Sequence, residues 1–281
     1  MRLAIKIGGT LLQQEDARAM LALQTGSLLR DGHELLLVHG GGAQVTSFMK
    51  AEGIESQFVE GRRVTTPAAL DAAVKVMCGT VNHEFLAAFA AVGVKAVGIS
   101  GVDGSCVFAE YAGNGLGLVG RVSRVNPLIF DVLNSAGFVP VMACLAVGPG
   151  GQILNVNADE VAVACAAVWL ADRMIFLSDV DGVRGADGQI LRRLTTDEAD
   201  ALVSSGVASG GMVAKLRAAR QAVSHGIPGV EIAPGHRPRI LRALLAGTGE
   251  YGTSVTPTSL LSPLPDFAGQ RTTTSTEAPV C

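Results

Sequence analysis

Short runs of β-branched and aliphatic residues alternate with longer alanine- and leucine-rich segments along most of this chain, and that alternation limits the possible folds more than any other feature. Parallel strands cannot be joined by tight turns, so interleaved strand and helix patterns mean strands connected through covering helices. The runs 3–7, 34–38, 96–99, 139–142, 173–178 and 230–232 read as strands. The segments near 14–30, 43–52, 67–92, 126–136, 158–170, 196–205, 210–225 and 237–245 read as helices, the third opened by Thr66 as N-cap with Pro67 at the first helical position. The expected class is α/β. Two glycine-bounded stretches, 57–65 and 115–125, read instead as β-hairpins inserted between the αβ units, suited to form a substrate lid. From Pro257 onward Thr, Ser and Pro replace the apolar periodicity, which predicts a disordered tail.

With 281 residues, 48% of them hydrophobic, the chain can bury the core of one large domain or two small ones. Its 22 Lys and Arg against 25 Asp and Glu give no overall charge to draw it to nucleic acid or to an anionic membrane, so any anion site must be local. Cys78, Cys106, Cys144, Cys165 and Cys281 form no CxxC pair, and an odd set of thiols fits a reducing compartment. Met1 and Arg2 lead directly into apolar alternation, leaving no room for a signal peptide, and the apolar stretch 161–171 is too short to cross a bilayer. A soluble cytoplasmic protein is expected, without nucleic-acid or membrane partners.

Function enters through glycine. The first strand runs into Lys6-Ile7-Gly8-Gly9-Thr10 and the second into His39-Gly40-Gly41-Gly42. Both clusters belong at the carboxyl ends of parallel strands, the edge at which α/β sheets bind ligands. Glycine lets the backbone approach a phosphate, and free amides at the start of the next helix donate to its oxygens. Other motif matches fail on context. Gly115-x-Gly117-x-x-Gly120 and Gly247-x-Gly249-x-x-Gly252 have dinucleotide spacing but do not join a strand to a helix. His39-Gly40-Gly41-Gly42 resembles a lipase oxyanion loop, yet no Gly-x-Ser-x-Gly elbow accompanies it. Asp179-x-Asp181 starts like a calcium loop, but Val183 takes the next ligand position.

No Gly-x-x-x-x-Gly-Lys-Ser/Thr loop is present, so a kinase here would hold its phosphates by another arrangement. The glycine loops resemble those of the amino acid kinase family. Together with Gly61-Arg62-Arg63-Val64-Thr65, Asn155-Val156-Asn157-Ala158-Asp159, Leu177-Ser178-Asp179-Val180 and Gly210-Gly211-Met212-Val213-Ala214-Lys215, they resemble the acetylglutamate kinases within it, in consistent order from residue 1 to about 256. The resemblance implies a three-layer αβα sandwich with a mainly parallel open central sheet. It implies a kinase domain over 1–257, with an amino-terminal lobe of about 1–168 for the acyl amino acid and a carboxyl-terminal lobe of about 169–257 for MgATP, followed by the tail 258–281. The reaction implied is transfer from ATP to the side-chain carboxylate of N-acetyl-L-glutamate, in arginine biosynthesis. Arginine-sensitive members carry an extra amino-terminal helix, whereas this chain starts on its first strand, so a homodimer without arginine feedback is expected.

The resemblance also implies roles. Lys6 matches the lysine that reaches the transferring phosphoryl group, Lys215 the one at the nucleotide phosphates and leaving oxygen, and Asp159 the aspartate that steadies both. Arg63 matches a two-pronged contact to the substrate carboxylate, with Arg62 facing solvent, and Asn155 a contact to the amino acid moiety. Gly8, Gly9, Gly41 and Gly42 offer amides to phosphates and substrate, while Asp179, Asp181, Gly182, Val183, Arg184 and Ser209 line the nucleotide. No side chains mark a dedicated Mg²⁺ cage, in keeping with an ion carried by ATP and water. On residues alone other readings stand: Lys6 as a solvated sheet-edge charge, Lys215 as helix surface, Asp159 as a first-turn acid favouring the helix dipole, Asn155 as a turn. Rival functions are an N-acetyl-aminoadipate kinase and a non-catalytic ligand-binding regulator.

Overall fold

The computed structural model describes residues 1–59 and 61–258; the tail expectation lies outside the described residues from 259 onward. Its strands are β1 (Arg2–Ile7), β2 (Glu34–His39), β3 (Phe58–Val59), β4 (Arg62–Arg63), β5 (Ala96–Ser100), β6 (Val107–Tyr111), β7 (Val119–Val125), β8 (Val139–Ala143), β9 (Leu145–Val147), β10 (Ile153–Val156), β11 (Arg173–Ser178), β12 (Arg193–Thr195), β13 (Gly229–Pro234) and β14 (Thr253–Thr256). The helices are α1 (Glu15–Arg30), α2 (Gly42–Ala51), α3 (Pro67–Val74), α4 (Asn82–Ala91), α5 (Leu128–Ser135), α6 (Ala158–Val168), α7 (Thr196–Ser204), α8 (Gly211–Ser224) and α9 (Ile240–Leu245). Among them none is long and apolar enough to cross a membrane.

Eight strands make one sheet in the order β12-β14-β13-β11-β1-β2-β8-β5. Every neighbouring pair is parallel except β13 with β14. β1 lies at its centre, between β2 and β11, with Lys6 in register with Val38 and Phe176. Helices cover both faces, so the central strands are buried on both sides and read as continuous apolar runs rather than alternating ones. Leu3, Ala4, Ile5 and Ile7 of β1 are each at most 1% exposed. Full burial of a Leu or Ile contributes about 1.5–3 kcal/mol, which makes β1 a rigid base for the loop that follows it.

The structure adds to the sequence reading and corrects it. Four short strands close into a small barrel, β10-β7-β6-β9, absent from the expectation. The stretch 115–125 is not a hairpin in itself, because β7 pairs antiparallel with β6 across a turn in which Gly113, Gly115 and Gly117 all have positive φ. Those glycines hold the left-handed backbone that the turn needs, so a strand can begin only after them. The hairpin expected over 57–65 is present as β3 and β4, with Phe58 opposite Arg63. The third helix begins as expected, Thr66 Oγ1 accepting from Ala69 N at 3.2 Å. It is not uniform, however: Lys75–Val81 winds as a π-helix between α3 and α4, a departure often found beside functional sites.

Candidate active site

The loops after β1, β2 and β11 open at one edge of the sheet, on either side of its central strand, where parallel sheets place their ligands. There a cleft of about 740 Å³ is lined by Lys6, Gly8, Gly9, Asp179, Ser209 and Lys215, among others. A smaller pocket of about 190 Å³ adjoins it, with Arg63 and Asn155 on its polar side and Val45, Phe58, Met77 and Cys144 on its apolar side. Gly42 lines both.

In the cleft, Lys6 stands near the end of β1 and Asp159 in the first turn of α6; Lys6 Nζ lies 2.7 Å from Asp159 Oδ1, and both side chains are only 11% exposed. Asp159 Oδ1 has no aligned hydrogen bond, so the contact is one of charge with charge and leaves lone pairs for a further partner. Asn157 caps α6, its Oδ1 accepting from Asp159 N at 2.9 Å and Glu160 N at 3.2 Å. Asp159 thus satisfies the helix-dipole reading and faces a lysine as well. Lys215 projects from the first half of α8 and makes no ion pair among the described residues. Burial, reinforced by Lys6, lowers its pKa, while Asp159 and Asp179 pull the other way. Asp159 therefore contacts one lysine and only attracts the other from a distance, short of the shared grip expected.

Backbone donors add to the positive field. α2 has no side-chain cap, and the amides of Gly42, Ala43 and Gln44 find no partner among the described residues, the first helical bond running from Val45 N to Gly41 O at 2.8 Å. Such an N-terminus favours anions. Gly9 N is likewise without a partner, but Gly8 N donates to Leu177 O at 2.9 Å. That amide extends the sheet, so Gly8 does not offer it to a ligand; a side chain at Gly8 would instead press on the Leu177 carbonyl, at 3.2 Å. Gly41 is similarly constrained, because a Cβ there would lie 2.9 Å from Met77 Cγ.

In the pocket, Arg63 is buried and has no carboxylate partner among the described residues. Its Nη1 donates to Ser56 Oγ at 2.8 Å, and its Nη2 to Gly42 O at 2.9 Å and Thr46 Oγ1 at 2.6 Å. The guanidinium also stacks on Phe58, 4.7 Å from the ring centre. These contacts hold it in place, and a two-pronged grip by both terminal nitrogens would require them to break. Asn155 is part of β10 rather than of a turn, and its Nδ2 donates to Thr65 Oγ1 at 3.1 Å. Behind the glycine loop His39 is wholly buried. Its Nδ1 contacts Gly40 O at 2.8 Å and its Nε2 lies 3.1 Å from Asn82 Nδ2, contacts that assign the proton to Nδ1. Burial lowers its pKa to about 4, so it is neutral near pH 7.

The remaining nucleotide-side expectations divide. Asp179 and Ser209 line the cleft. Asp181, Gly182, Val183 and Arg184 are not brought to it. Asp181 accepts from Arg237 Nη2 at 3.1 Å, Val183 is fully buried in the core, and Arg184 Nη1 donates to Gly188 O at 2.8 Å. Gly182 is packed so closely that a Cβ would lie 2.8 Å from Thr253 Oγ1. Sequence reasoning missed Ser56, Thr46 and Phe58, which hold Arg63, and Met77, which walls the pocket. Nothing in their local sequence marks them, since each reaches the site from a different element.

A model of the amino acid kinase family matches residues 1–232. A protein named acetylglutamate kinase from Solibacter usitatus is 48% identical over 255 residues, 91% of this chain and 99% of that one. Another of the same name, from Acidobacterium capsulatum, is 40% identical over 91% of this chain and 99% of its own. Among solved structures, that of smu.665 from Streptococcus mutans UA159 superposes with a TM-score of 0.80 at 25% identity, covering 91% of this chain and 98% of the other. A family match spanning most of the chain, on a fold and sheet edge of this kind, makes the assignment direct: the chain belongs to the amino acid kinase family.

Proposed function

We propose that this protein transfers the terminal phosphoryl group of ATP to the side-chain carboxylate of N-acetyl-L-glutamate, giving an acyl phosphate and ADP. The observation that carries the reading is Gly42, which lines both the smaller pocket and the larger cleft, so an acid in one and a nucleotide in the other meet at its amide. Relatives named acetylglutamate kinase, similar over nearly their whole length, supply the identity of the acid.

A carboxylate with an ordinary pKa of ~4.3 is ionised at neutral pH and needs no base to attack. The barrier is repulsion between anions, so catalysis consists of alignment and charge neutralisation. As the acid's oxygen bonds to the γ-phosphorus and the bridging oxygen leaves with ADP, Lys6 neutralises the transferring oxygens and Lys215 the leaving side. Asp159 keeps the Lys6 ammonium aimed at the junction, and the amides of Gly9, Gly42 and Ala43 donate to the same oxygens. Mg²⁺ would travel with the phosphates and supply further positive charge. The cleft suits that arrangement, offering Asp179 and, among the described residues, no surrounding cage of acids. Arg63 holds the acid through its remaining donors, Asn155 orients the amino acid moiety, and the wall of Met77 and Cys144 receives the acyl group.

In the same reading, residues of about 1–168 form the acid-binding lobe and 169–257 the nucleotide lobe of a cytoplasmic homodimer serving arginine biosynthesis. The test is ADP release by purified protein with MgATP and N-acetylglutamate, with hydroxylamine trapping an acyl hydroxamate. Binding without turnover, or a preference for N-acetyl-aminoadipate, would overturn it.

A further inference from the structure

Among the described residues the smaller pocket is lined by two arginines and no carboxylate. Arg63 is held by Ser56, Thr46 and Gly42, and its Nε–H has no partner among the described residues, so it meets a ligand with one edge only. Arg62 differs. Its side chain is 42% exposed, and its ion pair, to Glu160 Oε2, is long at 3.8 Å. It is exposed, as the sequence suggested, and it also borders both the pocket and a neighbouring groove of about 950 Å³ beside α6 and α8.

We propose that Arg62 is a movable second anchor for the acid's α-carboxylate, resting on Glu160 in the free protein and exchanging it for substrate when the pocket fills. This rests on the reading of the pocket as an N-acetylglutamate site. That ligand is a dianion whose side-chain carboxylate must face the junction at Gly42, which leaves the α-carboxylate to be neutralised within the pocket. A carboxylate taken out of water with an incomplete set of donors is costly, whereas a long, exposed ion pair holds little free energy. The exchange is therefore favoured once the acid enters. Glu160 keeps a partner throughout, because its Oε1 accepts from Val122 N at 2.7 Å.

The experiment is steady-state kinetics at saturating MgATP, with N-acetylglutamate and with its α-carboxamide, which lacks the second negative charge. Arg62→Gln should raise KM for the acid about tenfold, equivalent to ~1.4 kcal/mol, with kcat within about twofold. It should leave KM for the carboxamide unchanged, and Arg62→Lys should recover part of the loss. Glu160→Gln, which frees Arg62 and keeps an oxygen for Val122, should lower KM or leave it unchanged. If Arg62 merely clasps the hairpin to α6, both substitutions will raise KM alike and the carboxamide will suffer equally; that pattern overturns the proposal. Turnover by the unmodified protein with an unchanged KM in Arg62→Gln overturns the proposal alone. No turnover by the unmodified protein overturns the functional reading and this inference with it.

Discussion

The pocket around Arg63 and the cleft around Lys6 share Gly42 and differ in how far the protein satisfies its own charges. In the pocket, Arg63 is fixed by three oxygens and an aromatic ring before any ligand arrives. In the cleft, Lys215 has no ion-pair partner among the described residues and the first amides of α2 are open. A site that recognises gains from rigidity, because fewer groups need ordering on binding. A site that stabilises a transition state gains from unmatched positive charge aimed at the place where negative charge develops. The two regions should therefore fail in different ways.

The largest effect should come from the cleft. Lys6→Ala and Lys215→Ala should each lower kcat by about 10²–10³ while changing either KM only a few-fold; a rise in KM with kcat preserved would reverse their roles. Next comes the pocket, where Arg63→Ala removes a buried charge-assisted contact of about 1.5–3 kcal/mol. It should raise KM for the acid by roughly ten- to a hundredfold and leave KM for MgATP near its original value.

Much of the cleft was legible in the sequence because it depends on periodicity and on loops that directly follow strands. Lys6, Gly9 and Gly42 stand at element ends that the alternation marks, Lys215 follows within α8, and the order of strands carries them to one edge. The barrel was not legible, since strands as short as Leu145–Val147, paired with β10 close by and with β6 far back in the chain, have no signature of their own. Arg62 and Arg63 are chemically identical; the resemblance separated their roles, and packing shows why, with Arg63 buried and held by three oxygens and Arg62 exposed on a long ion pair. Val183 shows a different limit: the resemblance set it beside the nucleotide, and its side chain is buried in the core.

Two smaller effects depend on pH. His39 supports the pocket from behind with a pKa near 4 in place of 6.5. Between those values the unfolded chain takes up a proton that the folded chain refuses, so stability is complete above 6.5 and falls as pH drops through the window, by on the order of 3 kcal/mol in all. The melting temperature should decline from pH 7 to pH 5, and a His39→Gln variant, although less stable at pH 7, should show a flatter decline. In the cleft, burial and Lys6 lower the pKa of Lys215 in the free protein, so kcat/KM for MgATP should fall on the alkaline side earlier than an ordinary lysine would titrate. Lys215→Arg should move that limb upward, whatever it does to the maximum rate.

The most direct test places one methyl group where the two regions meet. Gly42 is the first residue of α2, has no positive φ, and would carry a Cβ with nothing within 4 Å, so Gly42→Ala should fold without strain and keep or raise the melting temperature. If acid and nucleotide join at this position, the methyl disturbs their alignment, and kcat should fall at least about tenfold. Wild-type turnover in a well-folded Gly42→Ala protein would contradict the account, because the junction would then lie elsewhere.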